Sequence, residues 1–289
     1  MATTDAWSIR ALGPADLPAA LALSTGAGWN QVEADWRVFL EAGRLFGADA
    51  PGAGLIATAG TLPLGRELGW ISMMLVDAAF RGRGVAKRLL ERCLLDLAAQ
   101  GLAPGLDATP AGLDVYAKFE FRATGTITRL VREGGAALAP SGPASAPEIR
   151  SATPADLDPM VALDKRAFAT ERRAVLARVL ERSRGLAVVA LDRGRHAGFA
   201  LARDGRRATQ LGPVVASDPE IAIALLSHAI AHVDGPVCVD LVDGHQAVHD
   251  ALTAFGLVPQ RKFTRMFHRR DEPFGDARLA VAIAGPELG

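Results

Sequence analysis

One stretch of this sequence occurs twice. Ile9-Arg10-x-x-x-Pro14-Ala15-Asp16-Leu17 returns as Ile149-Arg150-x-x-x-Pro154-Ala155-Asp156-Leu157, displaced by 140 positions. Thr128-Arg129-Leu130 is echoed by Thr264-Arg265-Met266, and Phe119-Glu120-Phe121 by Phe255-Gly256-Leu257, both displaced by 136. Three matches in one order, at nearly one offset, point to a tandem duplication. The fold must therefore be one that can be built twice in 289 residues. Each copy then has roughly 130 residues, the size of one domain.

Between the copies, Glu133 to Pro147 (EGGAALAPSGPASAP) is rich in Gly, Ala, Pro and Ser and lacks apolar periodicity, which reads as a linker. The expected organisation is a first domain over 1–133, a linker over 134–147 and a second domain over 148–289 with a C-terminal extension. The first copy alternates strands (8–12, 54–62, 69–76, 102–108, 124–132) with helices (16–24, 33–42, 85–100, 113–119). Asp16 is placed to cap the first helix. The clearest helix carries Leu89, Leu90, Leu94 and Leu97 on one face. The class is α/β (α+β), with helices around a mixed sheet in each copy.

Composition excludes several functions. Basic and acidic residues balance at 32 each, which argues against a nucleic-acid partner, since phosphates need a basic surface. An apolar content of 49% excludes disorder. No run approaches the ~20 apolar residues of a membrane span, and MATTDAWSIR has no signal-peptide character. Cys93 and Cys238 cannot build a disulfide framework, so a reducing cytoplasm is expected. The copies have also kept different residues. All four tryptophans and the sole tyrosine, Tyr116, lie in the first copy, and all six histidines lie in the second.

The segment Val76-Asp77-Ala78-Ala79-Phe80-Arg81-Gly82-Arg83-Gly84-Val85-Ala86 joins an apolar strand to an amphipathic helix. Gly82 and Gly84 let the backbone curl towards a ligand, and the helix start offers unpaired amides to an anion. Arg81, Arg83 and Lys87 add positive charge at the same end. The pattern fits a pyrophosphate cradle, with an ordinary Gly-rich turn as the alternative. A Walker A loop would need Lys-Ser/Thr after Gly84, and a dinucleotide fingerprint would need glycine at Lys87.

Met74-Leu75-Val76-Asp77, Arg81-Gly82-Arg83-Gly84-Val85-Ala86 and Leu89-Leu90 together resemble the acetyl-CoA-binding motif of the GNAT acetyltransferase superfamily. Tyr116-Ala117-Lys118-Phe119-Glu120-Phe121 resembles the family's terminal Tyr-x-x-x-Gly-Phe element, with Glu120 where glycine is usual. The resemblance implies two tandem GNAT-like domains, each a mixed, mostly antiparallel sheet flanked by helices. It further implies an N-acetyltransferase acting on an amine of a small molecule or peptide, with acetyl-CoA as co-substrate and no metal. Met74, Leu75 and Val76 would serve the pantetheine arm and thioester oxygen, and Gly82 to Lys87 the pyrophosphate. Tyr116 would be the general acid, a role that suits a phenol of pKa about 10.

Asp107 is a candidate base, with a structural role equally open because the second copy keeps Asp240 at the matching place. Trp29, Asn30, Asp35 and Trp36 are candidates for the acceptor pocket, with a Trp-rich core as the alternative. In the second copy the cradle position reads Gly212-Pro213-Val214-Val215-Ala216-Ser217-Asp218-Pro219-Glu220-Ile221, and Leu252 stands where Tyr116 stands. Asp218 and Glu220 would repel pyrophosphate, so a degenerate second domain is expected. The pairs His228/His232 and His245/His249 have metal-ligand spacing but read better as helix faces. Two alternatives accompany this reading: an acetyl-CoA-responsive regulatory module without turnover, and a mycothiol-synthase-like enzyme with a catalytic second copy. A homodimer is left open.

Overall fold

The computed structural model describes residues 7–134 and 147–289. The expected linker over 134–147 lies almost wholly outside the described residues, as does most of the N-terminal stretch read above. Contacts divide the chain into two compact units, Met1–Leu106 and Asp107–Gly289.

The first unit opens with strand β1 (Ser8–Ala11), a 3-10 turn (Pro14–Asp16), helix α1 (Leu17–Gly26) and helix α2 (Glu33–Ala42). Strands β2 (Arg44–Ala50), β3 (Gly54–Leu64) and β4 (Leu68–Val76) follow, then helix α3 (Val85–Ala99) and strand β5 (Ala103–Ala108). The sheet order is β1-β2-β3-β4-β5, antiparallel through β4 and parallel between β4 and β5. Helix α3 turns Val85, Leu89, Leu90, Cys93 and Leu97 inward, the i, i+4 spacing of one helical face. The sequence pattern missed β2, because its small residues Gly47, Ala48 and Ala50 break the apolar alternation that marks a strand.

The repeated Ile-Arg-x-x-x-Pro-Ala-Asp-Leu motif proves to be a cap. Asp16 accepts from the Gly13 amide at 2.8 Å and pairs with both terminal nitrogens of Arg10 at 2.9 and 2.8 Å. In the second copy, Asp156 accepts from the Thr153 amide at 2.7 Å and takes both terminal nitrogens of Arg150 at 2.9 and 2.7 Å. Asp16 thus reaches back over the 3-10 turn rather than forward into α1, as the sequence reading had it.

The second unit contains helix α4 (Leu113–Ala117), strands β6 (Phe121–Arg132) and β7 (Glu148–Ser151), and helices α5 (Leu157–Phe168) and α6 (Arg173–Arg182). It continues with strands β8 (Val188–Asp192), β9 (Arg195–Arg203) and β10 (Thr209–Ala216), helix α7 (Pro219–Ala231) and strand β11 (Val237–Val242). Helix α8 (Gln246–Ala254), strand β12 (Val258–His268) and strand β13 (Ala280–Ala282) complete it. The strand order is β12-β6-β11-β13-β10-β9-β8-β7.

Strand β6, the last of the first copy, lies between two strands of the second. It pairs antiparallel with β12 from Phe121↔His268 to Val131↔Val258, and with β11 from Ile127↔Val242 to Arg132↔Val237. This explains why the contact boundary follows Leu106 and not the expected linker. Among the described residues, no helix is long and apolar enough to cross a membrane.

Candidate functional site

In the first unit, β4 runs beside β5 only through Leu68, Gly69 and Trp70, opposite Ala103, Pro104 and Gly105. Beyond Trp70, β3 is the only strand partner of β4 among the described residues. The β3–β4 register shifts between Thr58 and Gly60, and Met73 adopts a left-handed φ of 53°. The Thr58 hydroxyl donates to the Met73 carbonyl at 2.8 Å and fastens this bulge. A bulge re-aims the strand that carries it, and the Met74–Val76 edge runs on without β5 as a partner, a wedge between the two strands. The sequence reading had named Met74, Leu75 and Val76 but not Thr58.

The wedge leads to the start of α3. Gly82 and Gly84 have φ of 77° and 79°, and a Cβ added at either would meet no atom within 4 Å. The N-cap is Gly84 and no side chain caps the helix. Its first amides therefore have no intrahelical acceptor, and the macrodipole makes this end attractive to an anion. Arg81 curls back to donate to the Val76 carbonyl at 3.1 Å, and the Arg83 guanidinium lies 5.2 Å from the centre of the Phe80 ring. Arg81, Arg83 and Lys87 are exposed, while Val85 is buried as the helix's first core residue. An extended chain of amides ending in a pyrophosphate fits these features.

Asp107, the first residue of the second unit, has a fully buried side chain. Both its oxygens are taken by Arg265 of β12, each at 2.9 Å. Burial pushes its carboxyl above the usual carboxylate range, against the pull of the Arg265 guanidinium. The second copy repeats this arrangement reciprocally: Asp240 of β11 takes the guanidinium of Arg129, on β6, at 2.7 Å through each oxygen. The two arginines belong to the Thr-Arg-Leu/Met element that revealed the duplication. Each holds the aspartate of the other copy, a partnership the spacing alone did not show.

Tyr116 is half-buried on α4 and meets Phe121 edge to face, with centroids 6.0 Å apart. Leu252, at the matching place on α8, is wholly buried. Glu120 takes a left-handed φ of 60° where Gly256 of the second copy has 82°. Its backbone is that of the glycine it replaces.

The four acceptor candidates divide. Asp35 is fully buried and accepts from the Val32 amide at 2.8 Å, closing the start of α2. Trp36 is fully buried in the core, with its indole N–H lacking an acceptor. These two have capping and core positions, and Asp35 does not face solvent where it could attract a cation. Asn30 is buried just before α2, and Trp29 is half-buried. In the second copy, the His228 and His232 rings stack at 4.5 Å, while His245 bonds the Ala277 carbonyl at 2.8 Å. No group of three or more metal-binding side chains occurs among the described residues.

A splayed β4/β5 pair leading to an uncapped Gly-rich helix start, built on a repeat, defines a class. The profile of the acetyltransferase (GNAT) domain matches residues 45–134, and a second acetyltransferase (GNAT) domain profile matches 160–278. The chain belongs to the GNAT acetyltransferase family and carries two of its domains in tandem. In particular, it is similar to the uncharacterized N-acetyltransferase YitH of Bacillus subtilis, with 25% identity over 265 residues covering 91% of this chain and 92% of that protein. Its fold is shared with a putative acetyltransferase from Pyrococcus horikoshii (TM-score 0.79, 18% identity, 100% of this chain and 98% of that one). It is also shared with a GCN5-related N-acetyltransferase from Sphaerobacter thermophilus (TM-score 0.68, 17% identity, 94% and 98%). A tandem GNAT protein from the clavulanic acid biosynthesis pathway is likewise similar (TM-score 0.62, 14% identity, 91% and 98%).

Proposed function

We propose that the chain is an acetyl-CoA-dependent N-acetyltransferase whose first copy carries the co-substrate groove and whose second copy is non-catalytic. The observation that carries this reading is the uncapped start of α3, reached from a β4 edge that has no strand partner beyond Trp70 other than β3. The Met74–Val76 backbone would bond the amides of the pantetheine arm and polarise the thioester oxygen. The residues Arg81 to Lys87 would hold the pyrophosphate through amides, dipole and cationic side chains.

Acetyl-CoA supplies an activated acetyl group. Tyr116 keeps the role that family likeness assigns: its Oη proton passes to sulfur as the C–S bond breaks and the C–N bond forms. With both oxygens held by Arg265, Asp107 acts by positioning; the proton released by the amine passes to solvent. Trp29 and Asn30 are the acceptor-side residues, and the acceptor is an amine of a small molecule or peptide.

The test is calorimetric titration with acetyl-CoA, followed by turnover against a panel of amines, polyamines, amino acids and peptides. Tyr116→Phe is expected to bind acetyl-CoA as the parent does and to lose about 100-fold or more in kcat. Undiminished transfer by that variant would remove Tyr116 from the reaction. Binding without any acetylated product would favour a regulatory module.

A further inference from the structure

The second copy repeats the wedge of the first but fills it. Strand β10 runs parallel to β11 for three residues, Thr209, Gln210 and Leu211 opposite Val237, Cys238 and Val239. The contact of β4 with β5 in the first copy is likewise parallel and three residues long. The β9–β10 register then shifts between Leu211 and Val214, as the β3–β4 register shifts in the first copy. Beyond that point β13 enters between the diverging strands. Ala282 sits opposite both Val214 and Leu241, and Ala280 opposite Val215. The Ile283 amide donates to the Asp240 carbonyl at 3.0 Å, and the Ala216 amide donates to the Leu279 carbonyl at 3.1 Å.

We propose that the second copy has turned its acyl-CoA groove into a site for an extended peptide strand, occupied by residues 279–283 of the same chain and closed to acetyl-CoA. The proposal rests on the reading that the equivalent wedge of the first copy receives acetyl-CoA. A pantetheine arm is an extended aliphatic chain with two secondary amides, and a β-strand offers the same alternation of N–H and C=O groups to a strand edge. Small and aliphatic residues suit the narrow slot: Val281, Ala282, Ile283 and Ala284 are all buried. Gly212, at φ 150°, is the groove residue that makes room, because a Cβ there would lie 2.0 Å from the Ile283 carbonyl oxygen.

The segment that follows is anchored by buried charge. Arg203 donates to the Ala284 carbonyl at 3.2 Å and pairs with Glu287, and both side chains are at most 3% exposed. Arg172, itself held by Asp164 at 2.8 Å through each oxygen, donates to the carbonyls of Leu288 and Gly289. On the other side, His245 holds the Ala277 carbonyl. The phosphate end of the groove is closed as well. Only Ser217 and Asp218 join β10 to α7, and Asp218 accepts from the Ile221 amide at 2.9 Å, so the helix caps itself.

Titration of the full chain with acetyl-CoA, mapped by amide hydrogen exchange, tests this. The expected result is one equivalent bound, protection gained within residues 71–87, and an Ile283 amide that exchanges as slowly as that of Val239 with or without acetyl-CoA. A second equivalent would overturn the proposal, as would an Ile283 amide that exchanges faster than Val239 by more than about tenfold or accelerates when acetyl-CoA is added. Failure of the first-copy reading looks different: no protection at residues 82–87 while Ile283 stays slow. Ile283→Pro, which deletes the donor to Asp240, is expected to raise exchange across residues 279–289 at least about tenfold; unchanged exchange there would also overturn the proposal.

Discussion

Helices α3 and α7 follow equivalent strands, yet their first turns are opposites. The α3 start is preceded by residues 77–84, ends on a left-handed Gly84 with no capping side chain, and is flanked by exposed cations. The α7 start follows two residues and is closed by Asp218, with Glu220 in its first turn. Both helices have the same macrodipole and the same orphan amides. What separates them is who satisfies those amides. In α7 the chain's own carboxylate does so, while no side chain caps α3. The wedges differ in the same sense: among the described residues, one has no strand beyond its three shared rungs and the other is filled by β13. On the proposed reading, divergence after duplication has replaced a ligand with pieces of the protein at two points of one groove.

The reciprocal pairs Asp107–Arg265 and Asp240–Arg129, by contrast, are bidentate in both copies. They should behave alike whatever each groove does. Arg265→Met leaves a fully buried carboxylate without its partner and is expected to cost about 3–5 kcal/mol of stability, measured by urea denaturation. Arg129→Met should cost a similar amount. The pH dependence follows from the direction of the Asp107 shift. Burial already raises its carboxyl, and removing Arg265 removes the main opposing charge. A folded pKa above the unfolded value of about 3.9 means that the folded state binds more protons. The contribution to stability is then present below that value and is lost as pH rises through the folded pKa, so Arg265→Met should be less destabilising near pH 5 than near pH 8. A loss below about 1 kcal/mol at either site would mean the pair is not holding its strand.

The two helix starts give a matched experiment of smaller size. Gly84→Glu puts a carboxylate over the open amides at a left-handed φ and is expected to weaken acetyl-CoA at least about 100-fold, roughly 2.7 kcal/mol. The mirror change, Asp218→Ala, removes a cap and should cost about 1 kcal/mol of stability while leaving acetyl-CoA affinity as it was. Calorimetry and thermal denaturation read both. If Asp218→Ala weakened acetyl-CoA, or if Gly84→Glu did not, the division of labour between the copies would fall.

Much of this was legible in the sequence, and the reasons for the rest are physical. The duplication, the Gly-rich turn at Arg81-Gly82-Arg83-Gly84 and the long α3 helix are local patterns, and local patterns survive in one dimension. Strand partnership is not local. The repeat that ends each copy, Thr128-Arg129-Leu130 and Thr264-Arg265-Met266, is so alike in β6 and β12 that nothing in either says which copy it will pair with. The exchange of β6 and the two arginine–aspartate pairs were hidden for that reason. Burial of Asp35 could have been inferred from its place three residues after Val32, at a helix start where a carboxylate can reach back to an amide. The short strand β13 has too few residues to show a period, and its partners only arise once a wedge exists to receive it.

The smallest test concerns a position where the copies differ by one side chain and share a backbone. Glu120 and Gly256 both adopt left-handed φ, 60° and 82°. Glycine takes this region freely, while a side chain there crowds the neighbouring carbonyl. Glu120 is held nonetheless by its ion pair with Arg269, whose guanidinium keeps the Glu120 carboxyl below its ordinary range. The pair is exposed on both sides, so solvent screening leaves it little strength. Relief of the backbone should therefore outweigh loss of the pair: Glu120→Gly is expected to raise the melting temperature slightly, and Gly256→Glu, which forces a side chain into the left-handed region with the Arg132 side chain 3.7 Å from its Cβ, to lower it. Salt sharpens the distinction, because screening weakens the Glu120 pair but not the backbone preference. The gain from Glu120→Gly should then grow at high ionic strength, and a gain that shrinks instead would show that the ion pair, not the backbone, sets this turn.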